Sequence, residues 1–255
     1  MRRRRWQIGA GTVGTVIIAA GAVYLAIALT APPRLGLPPV SVRTPAATPN
    51  SDPMVAACRR PVLAQPTSTT EDSSLWLIQQ GSVVGYRVRE KFVQLPSPHE
   101  AVARTERVSG WVLALQSAAG IRIETGCVAV DLATLKSVDT IPGYGTNGRD
   151  QIYGTLFDTS RYPYAIFQPY AITLPSLSDG QTIHAVVPGV LEIKGIARPA
   201  QFTLDVKRST DHISVAGAAS VNADDYDVRV VEGPDGWLSV DPHCTLELSL
   251  TLIKA

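Results

Sequence analysis

The segment from Gly189 to Val206, with the sequence GVLEIKGIARPAQFTLDV, constrains the fold of this chain more than any other. Its second half alternates between two sides, with Ala200, Phe202, Leu204 and Val206 on the apolar side and Gln201, Thr203, Asp205 and Lys207 on the polar side. A two-residue period is typical of a strand with one buried face in an antiparallel sheet. Because Pro199 cannot donate a ladder hydrogen bond, we expect it at the first position of this strand or in the Gly-Ile-Ala-Arg-Pro turn before it.

Similar patterns predict seven to nine strands between Leu75 and the C-terminus. The candidate segments are 75–78, 83–88, 107–115, 121–132, 164–174, 182–194, 199–207, 212–221 and 245–253. We expect the first two to pair around a turn at 80–82, and residues 89–107 to form a charged, turn-rich connection. Short intervals between strands favour an all-β fold, either an antiparallel barrel or a sandwich.

Residues 136–156 interrupt this pattern. They contain Gly143, Gly145 and Gly148, followed by Arg149-Asp150-Gln151-Ile152-Tyr153. We interpret this stretch as a loop that leads into one short helix.

The N-terminal quarter is not globular in composition. Four arginines, Arg2–Arg5, precede an uncharged apolar run at residues 8–31. As a helix, this run would be about 36 Å long, enough to cross a bilayer with the N-terminus in the cytoplasm. The alternative is a cleaved signal peptide, since Ala26-Ile27-Ala28 has the form that signal peptidase accepts. Both interpretations place the remaining residues outside the cytoplasm.

Three regions are therefore predicted. Residues 1–31 form the basic cluster and the membrane anchor or signal peptide, and residues 74–255 form the folded domain. Between them, residues 32–73 are rich in Pro, Ala, Thr and Ser and have no periodic apolar pattern. We interpret them as a partly polyproline-like linker that holds the domain away from the membrane.

The charge of the chain argues against a nucleic-acid partner. The net charge is only +1, and four of the 23 lysines and arginines lie in the N-terminal cluster. The rest of the chain is thus mildly acidic, whereas nucleic-acid binding requires concentrated positive charge.

Three cysteines, Cys58, Cys127 and Cys244, fall in a region predicted to be exported, where disulfides form. By alternation, Cys127 shares a strand face with Ile121 and Ile123. Cys127 and Cys244 are both expected to point inward, either as a disulfide or as two buried thiols. Val55-Ala56-Ala57-Cys58 resembles a lipobox, but no apolar segment directly precedes it, so lipidation of Cys58 is disfavoured.

The residues needed for catalysis are not arranged in any recognisable motif. The chain has no Gly-x-Ser-x-Gly, His-Glu-x-x-His or Cys-x-x-Cys, and no glycine-rich phosphate loop after a strand. Its four histidines are scattered. His243 and the Asp224, Asp225 and Asp227 cluster are better explained as solvated surface groups than as metal ligands. We expect neither an enzyme nor a cofactor.

Several motifs, in this order, resemble the YceI-like, or polyisoprenoid-binding, family. They are Leu75-Trp76-Leu77-Ile78, Val108-Ser109-Gly110-Trp111, Ser137-Val138-Asp139-Thr140, Arg149-Asp150, Phe157-Asp158, Tyr162-Pro163, Phe167 and the 189–206 segment. The resemblance implies an exported, lipocalin-like antiparallel barrel around a long apolar ligand. The chain departs from the family at Ile152-Tyr153, where many members have His-Leu, and at Ala223 and Asp227, which replace Arg and Gly. Ligand identity therefore does not carry over.

The candidate ligand-binding residues follow from this resemblance and the inward positions. They are Arg149, Asp150, Tyr153, Phe157, Tyr162, Phe167, Leu191 and Phe202. Arg149 either faces a ligand head group at the barrel mouth or, with Asp150, braces the helix and touches only protein. The aromatic residues either line the cavity entrance or seal that end of the core.

The function that we predict is binding of an apolar lipid. Small inward residues, Ala185, Gly189, Gly217 and Ala219, are expected to leave space in the barrel, and each buried methylene contributes roughly 0.8 kcal/mol. The protein would be tethered to the membrane and would sequester or carry a quinone or polyprenyl chain. The alternative is an envelope protein–protein interaction module whose barrel is filled by side chains.

Overall fold

The computed structural model of the chain describes residues 31–39, 53–58, 72–95, 98–117, 120–141, 145–230 and 237–255. Nearly all of the apolar run at 8–31, including the candidate cleavage site, and much of the predicted linker lie outside these residues. Within the described ranges, no helix is sufficiently long and apolar to cross a membrane.

Twelve strands and two short helices make up the described structure. The strands are β1 (Asp72–Ile78), β2 (Val83–Phe92), β3 (His99–Thr105), β4 (Val108–Ser117), β5 (Gly120–Asp131), β6 (Lys136–Ser137), β7 (Tyr164–Pro169), β8 (Ile172–Leu174), β9 (Thr182–Ile193), β10 (Ile196–Arg208), β11 (His212–Asn222) and β12 (Leu238–Lys254). The helices are α1 (Pro53–Ala57) and α2 (Asn147–Leu156), and 3-10 turns occupy Leu132–Thr134 and Ala223–Tyr226.

These strands close into an antiparallel barrel with eight strand positions. The first four positions each contain an interrupted strand: β1 and β2, β3 and β4, β5 and β6, and β7 and β8. Each position pairs with the next along the chain, and β12 closes the ring by pairing with both β1 and β2. The expected all-β antiparallel barrel with one short helix after residue 145 is therefore confirmed, and the sandwich alternative is excluded.

The first predicted hairpin is wrong, because β1 and β2 continue in one direction along β12 instead of pairing with each other. Trp76 pairs with Lys254, and Val83 pairs with Ser249. At the break between the two strands, Ser82 is fully buried and its Oγ accepts a hydrogen bond from the Thr251 N–H at 3.1 Å. The stretch expected to be a connection, residues 89–107, contains the end of β2 and all of β3.

The hairpin of β9 and β10 has a shorter turn than expected. Ile193 pairs with Ile196, so the turn consists of Lys194 and Gly195, both with positive φ (54° and 73°). Pro199 is the fourth residue of β10 and not the first. It is tolerated there because the pairing of β10 with β11 begins only at Thr203, so that β10 is an edge at Pro199.

A β-bulge in β5 reverses the faces that alternation assigned to it. Ala114 pairs with Ile123 and Leu113 with Thr125, which leaves Glu124 as the extra residue. Odd-numbered residues of β5 therefore face the interior before the bulge and the outside after it. Ile123 packs against the barrel interior, whereas Cys127 belongs to a cluster on the outer face.

That outer cluster is covered by α1. Cys58, which directly follows α1, forms a disulfide with Cys127, and its carbonyl accepts a hydrogen bond from Trp111 Nε1 at 3.0 Å. Both alternatives for Cys127, a disulfide with Cys244 or an inward-facing free thiol, are thus wrong, because Cys127 faces outward and is bonded to Cys58. Cys244 is a free thiol. Since the Cys58 sulfur is in a disulfide, Cys58 is not a lipid attachment site.

A second part of the predicted linker also contacts the barrel. Residues 32–36, here called the strap, lie against the outer face of β2 and β12. Arg87 Nη2 donates to the Pro32 carbonyl at 2.7 Å, and Ser249 Oγ donates to the Gly36 carbonyl at 2.7 Å. Residues 32–36 therefore depart from the linker predicted at 32–73, because they are attached to the barrel.

Loss of the disulfide is expected to destabilise the domain. Because the bridge joins residues 69 apart in sequence, replacing both cysteines (Cys58→Ser with Cys127→Ser) should lower the free energy of unfolding by about 2–4 kcal/mol. Urea denaturation followed by circular dichroism would measure this loss. The control is Cys244→Ser, which should keep the wild-type sensitivity to reductant. Equal unfolding midpoints for the wild type with and without reductant would contradict the prediction.

Candidate functional site

The barrel encloses a cavity of about 670 Å³ at the end covered by α2. Its wall is formed by α2, the ends of β2 and β12, the inner faces of β5, β7, β9 and β10, and the turn after β11. The other end of the barrel is filled by a core of Leu, Ile and Val, including Leu204, Leu250 and Leu252. The space is thus confined to one end.

The small inward residues are not the origin of this cavity, contrary to expectation. Neither Gly189 nor Gly217 lines it. A Cβ at Gly189 would lie 2.7 Å from Phe167 Cζ, and one at Gly217 would lie 2.9 Å from Leu204 Cδ2. Larger neighbours therefore occupy the volume that these glycines leave.

Six of the eight candidate site residues line the cavity. They are Arg149, Tyr153, Phe157, Phe167, Leu191 and Phe202. The other two do not: Asp150 accepts a hydrogen bond from the Ser137 N–H at 2.8 Å, and the Tyr162 ring packs against Gly195 in the β9–β10 turn. A contact of the six with a ligand stays a prediction.

The Arg149 guanidinium is held by protein groups. Its Nη1 donates to Asp139 Oδ1 at 2.7 Å and to Ser137 Oγ at 3.2 Å. Its Nη2 donates to Glu90 Oε2 at 2.7 Å. Asp139, in turn, is 2.7 Å from His99 Nε2 through its other oxygen. Arg149 therefore braces α2 against β2 and the segment after β6, as the second of the two sequence interpretations proposed.

Burial and charged partners act in opposite directions on the pKa values of this network. Burial alone would raise the pKa of Asp139, but hydrogen bonds from His99 and Arg149 more than offset it and lower the pKa to about 2. For Glu90, burial prevails over the attraction of Arg149 and raises the pKa. Burial would lower the pKa of Arg149, yet Glu90 and Asp139 together raise it. At neutral pH, Asp139 and Arg149 thus form a buried ion pair.

Aromatic side chains form the wall beside this network. Tyr86 Oη donates to Tyr153 Oη at 2.8 Å, and burial raises the pKa of both phenols, so both are neutral. Tyr153 and Phe157 are nearly fully buried in the core under α2, while the Phe167 and Phe202 rings meet edge to face at 4.8 Å. These residues both line the cavity and seal the core, so the two alternatives are not exclusive.

Glu90 and Tyr86 were missed by sequence reasoning. Both belong to β2, and Glu90 fell in the stretch interpreted as a connection. The available signal was the alternation of Tyr86, Val88 and Glu90, which continues the apolar face of β2 into the site.

The chemistry of this wall suits binding of an apolar molecule. The charged groups are paired with each other, and the remaining wall is largely aliphatic and aromatic. In the part of the chain that the structure describes, no group of three or more His, Cys, Asp or Glu is arranged to hold a metal ion.

Neutralising Asp139 should change the acid limb of the stability curve. A carboxyl whose pKa falls from 3.8 to about 2 on folding contributes about 2 kcal/mol above pH 4, which is lost as the pH falls through 2. Glu90, whose pKa is raised on folding, has the opposite effect, because its contribution to stability increases as the pH falls. Asp139→Asn should cost about 3 kcal/mol at pH 7, because the buried Arg149 loses one of its two charged partners and keeps only Glu90. The deficit relative to wild type should shrink between pH 4 and pH 2.

Urea unfolding at a series of pH values would measure both effects. Asp225→Asn, which changes an exposed carboxylate, is the matched control and should follow the wild type. A deficit that is independent of pH would show that the charge of Asp139 is not what stabilises the site.

Comparison with known proteins agrees with this architecture. Residues 79–252 match the model of the YceI-like domain family. No curated protein matches the chain. A polyisoprenoid-binding domain from Saccharophagus degradans, implicated in plant cell wall breakdown, superposes with a TM-score of 0.52 at 16% identity, covering 72% of this chain and 100% of that one.

A second solved structure, BcnA from Burkholderia cenocepacia, has a TM-score of 0.45 at 19% identity, covering 67% of this chain and 96% of its own. At such identities, the similarity to the Saccharophagus domain establishes the fold alone. The family match spans more than half of the chain, and its residues carry β2 to β11, most of β12 and α2. The chain therefore belongs to the YceI-like family.

Proposed function

We propose that this protein binds an isoprenoid-type lipid, a quinone or a polyprenyl chain, in the cavity under α2. The observation that carries the proposal is the apolar cavity of about 670 Å³. A methylene group and a water molecule in the liquid each occupy about 30 Å³, so the cavity has room for on the order of 20 carbons. Their burial would supply most of the binding free energy without specific polar contacts.

Two further observations support this ligand class. The chain belongs to the YceI-like family, and the Saccharophagus domain that shares its fold is described as polyisoprenoid-binding. In addition, the Arg149 guanidinium is already satisfied by Glu90 and Asp139, which leaves hydrophobic contact as the main source of affinity. We therefore propose recognition by shape and burial, and a role in binding instead of catalysis.

The proposal includes a location. The basic cluster at Arg2–Arg5 and the apolar run at residues 8–31 support a single membrane anchor, with the barrel outside the cytoplasm. The protein would then sequester or carry its lipid at the membrane surface. The alternative, an interaction module with a solid interior, is disfavoured because the cavity end of the barrel is not filled by side chains.

A substitution that partly fills the cavity should weaken binding. Val221 lines the cavity, and Val221→Trp would place an indole where the ligand chain lies. If it displaces about three methylenes, the binding free energy weakens by roughly 2.4 kcal/mol, which raises the dissociation constant ~50-fold. Quenching of tryptophan fluorescence by prenylated quinones would measure the affinity.

The matched control is Val186→Trp, the same change at an exposed position on β9, which should leave the affinity unchanged. Mass spectrometry of organic extracts from the purified protein provides an independent test. Repeated recovery of no apolar molecule, together with failure to bind any prenylated quinone, would refute the proposal.

A further inference from the structure

The strap, residues 32–36, follows β12 in steps of two residues. The Gly36 carbonyl accepts from Ser249 Oγ at 2.7 Å. Two residues earlier on both segments, Arg34 Nη1 is 3.6 Å from Glu247 Oε1. The strap and β12 therefore run in the same direction on the outer face of the barrel.

The first strap residue continues this register. The Pro32 carbonyl accepts from Arg87 Nη2 at 2.7 Å, and Arg87 pairs across the sheet with Thr245. The C-terminal end of β12 pairs with β1, and its N-terminal part, from Leu238 to Leu248, contains the residues that line the cavity. Toward its N-terminus, β12 therefore approaches the cavity end. From Gly36 back to Pro32, the strap consequently runs toward the cavity end of the barrel.

The attachment of the strap is part of the buried structure. Arg87 and Glu247 are almost fully buried, with Arg87 Nε 2.5 Å from Glu247 Oε1. The Arg87 guanidinium completes its hydrogen bonds through the strap carbonyls of Pro32 and Pro33 at 2.7 and 2.6 Å. Removing the strap would leave these donors of a buried charge without protein partners, so a fixed position is favoured.

A second observation concerns the surface of the same end. Among the described residues, six large apolar side chains are exposed, and four of them surround the cavity end: Val93, Val138, Ile152 and Trp237. Ile152 and Trp237 line the cavity, and the Val93 N–H donates to the Trp237 carbonyl at 3.0 Å. Val138 follows Ser137, which contacts Arg149 of α2. We call these four residues the rim.

We infer that the rim is a membrane-contacting surface and that the strap holds the cavity end of the barrel against the bilayer. The inference rests on the proposed membrane anchor, because the apolar run that ends at residue 31 directly precedes the strap. Exposed aliphatic side chains with a tryptophan suit the interface between head groups and acyl chains. An apolar ligand would then pass between bilayer and cavity without crossing water.

Site-specific labels on the full chain in lipid vesicles test this orientation. In a Cys244→Ser background, an environment-sensitive fluorophore is placed at Val93→Cys on the rim or at Thr210→Cys. Thr210 is exposed in the turn between β10 and β11, at the opposite end of the barrel. The vesicles contain phosphatidylcholine, phosphatidylglycerol and a doxyl-labelled lipid. We expect blue-shifted emission and several-fold stronger doxyl quenching for the label at residue 93.

A flexible Gly/Ser insertion between Ala31 and Pro32 separates the strap from the anchor. It should reduce the quenching at residue 93 and leave quinone affinity in detergent unchanged. Equal quenching at both positions, stronger quenching at residue 210, or recovery of the chain outside the vesicles would overturn the inference. Failure of the wild-type chain to bind quinone in detergent would instead refute the proposed ligand, so the two failures are distinguishable.

Discussion

The pairing of β12 with both β1 and β2 is the constraint on which the rest of the structure depends. Seventeen residues of β12 cross the whole barrel, and β1 and β2, which are separated by residues 79–82, pair with it one after the other. Without this closure, β12 on one side and β1 and β2 on the other would be sheet edges with unpaired backbone groups. Closure also separates an inside from an outside, which makes an enclosed apolar cavity possible in a domain of this size.

Two buried arginines attach further segments to the barrel, one on its inner side and one on its outer face. Arg149 ties α2 to Glu90 and Asp139 and so keeps the helix over the cavity. Arg87, on the outer face, holds the strap beside Glu247. Each guanidinium is surrounded by acceptors at 2.5–3.2 Å, as expected when the alternative is an unpaired buried charge. One arginine shapes the proposed binding site, and the other fixes the position of the strap on the outer face.

Much of the barrel could be predicted from the alternation of apolar residues. The strands at 108–117, 120–131, 182–193 and 212–222 lie close to their expected bounds, because each has one buried face. The errors occur where extra residues interrupt a strand. Glu124 is a one-residue bulge that turns Cys127 outward, and residues 79–82 lie opposite only two residues of β12 without starting the expected hairpin. Neither irregularity can be predicted from the local pattern of apolar residues, because both depend on the pairing with the neighbouring strand.

The candidate site was predictable to a similar degree. The aromatic and aliphatic wall followed from the family resemblance together with the inward strand positions, and Tyr153, Phe157, Phe167, Leu191 and Phe202 line the cavity. The partners of Arg149 did not follow, because Glu90 lies 59 residues away in sequence. Tyr162 and Asp150 lie elsewhere, since a motif records neighbours along the chain and not the direction in which each side chain points.

The amino-acid sequence by itself determined the all-β class, the approximate positions of most strands and the apolar character of the interior, because hydrophobic periodicity is a local property. Only the tertiary structure decided which cysteine pairs with Cys127, which carboxylates hold Arg149 and on which side of the barrel the strap lies. These features require residues that are far apart in the chain to meet, and their meeting depends on the closure of the barrel.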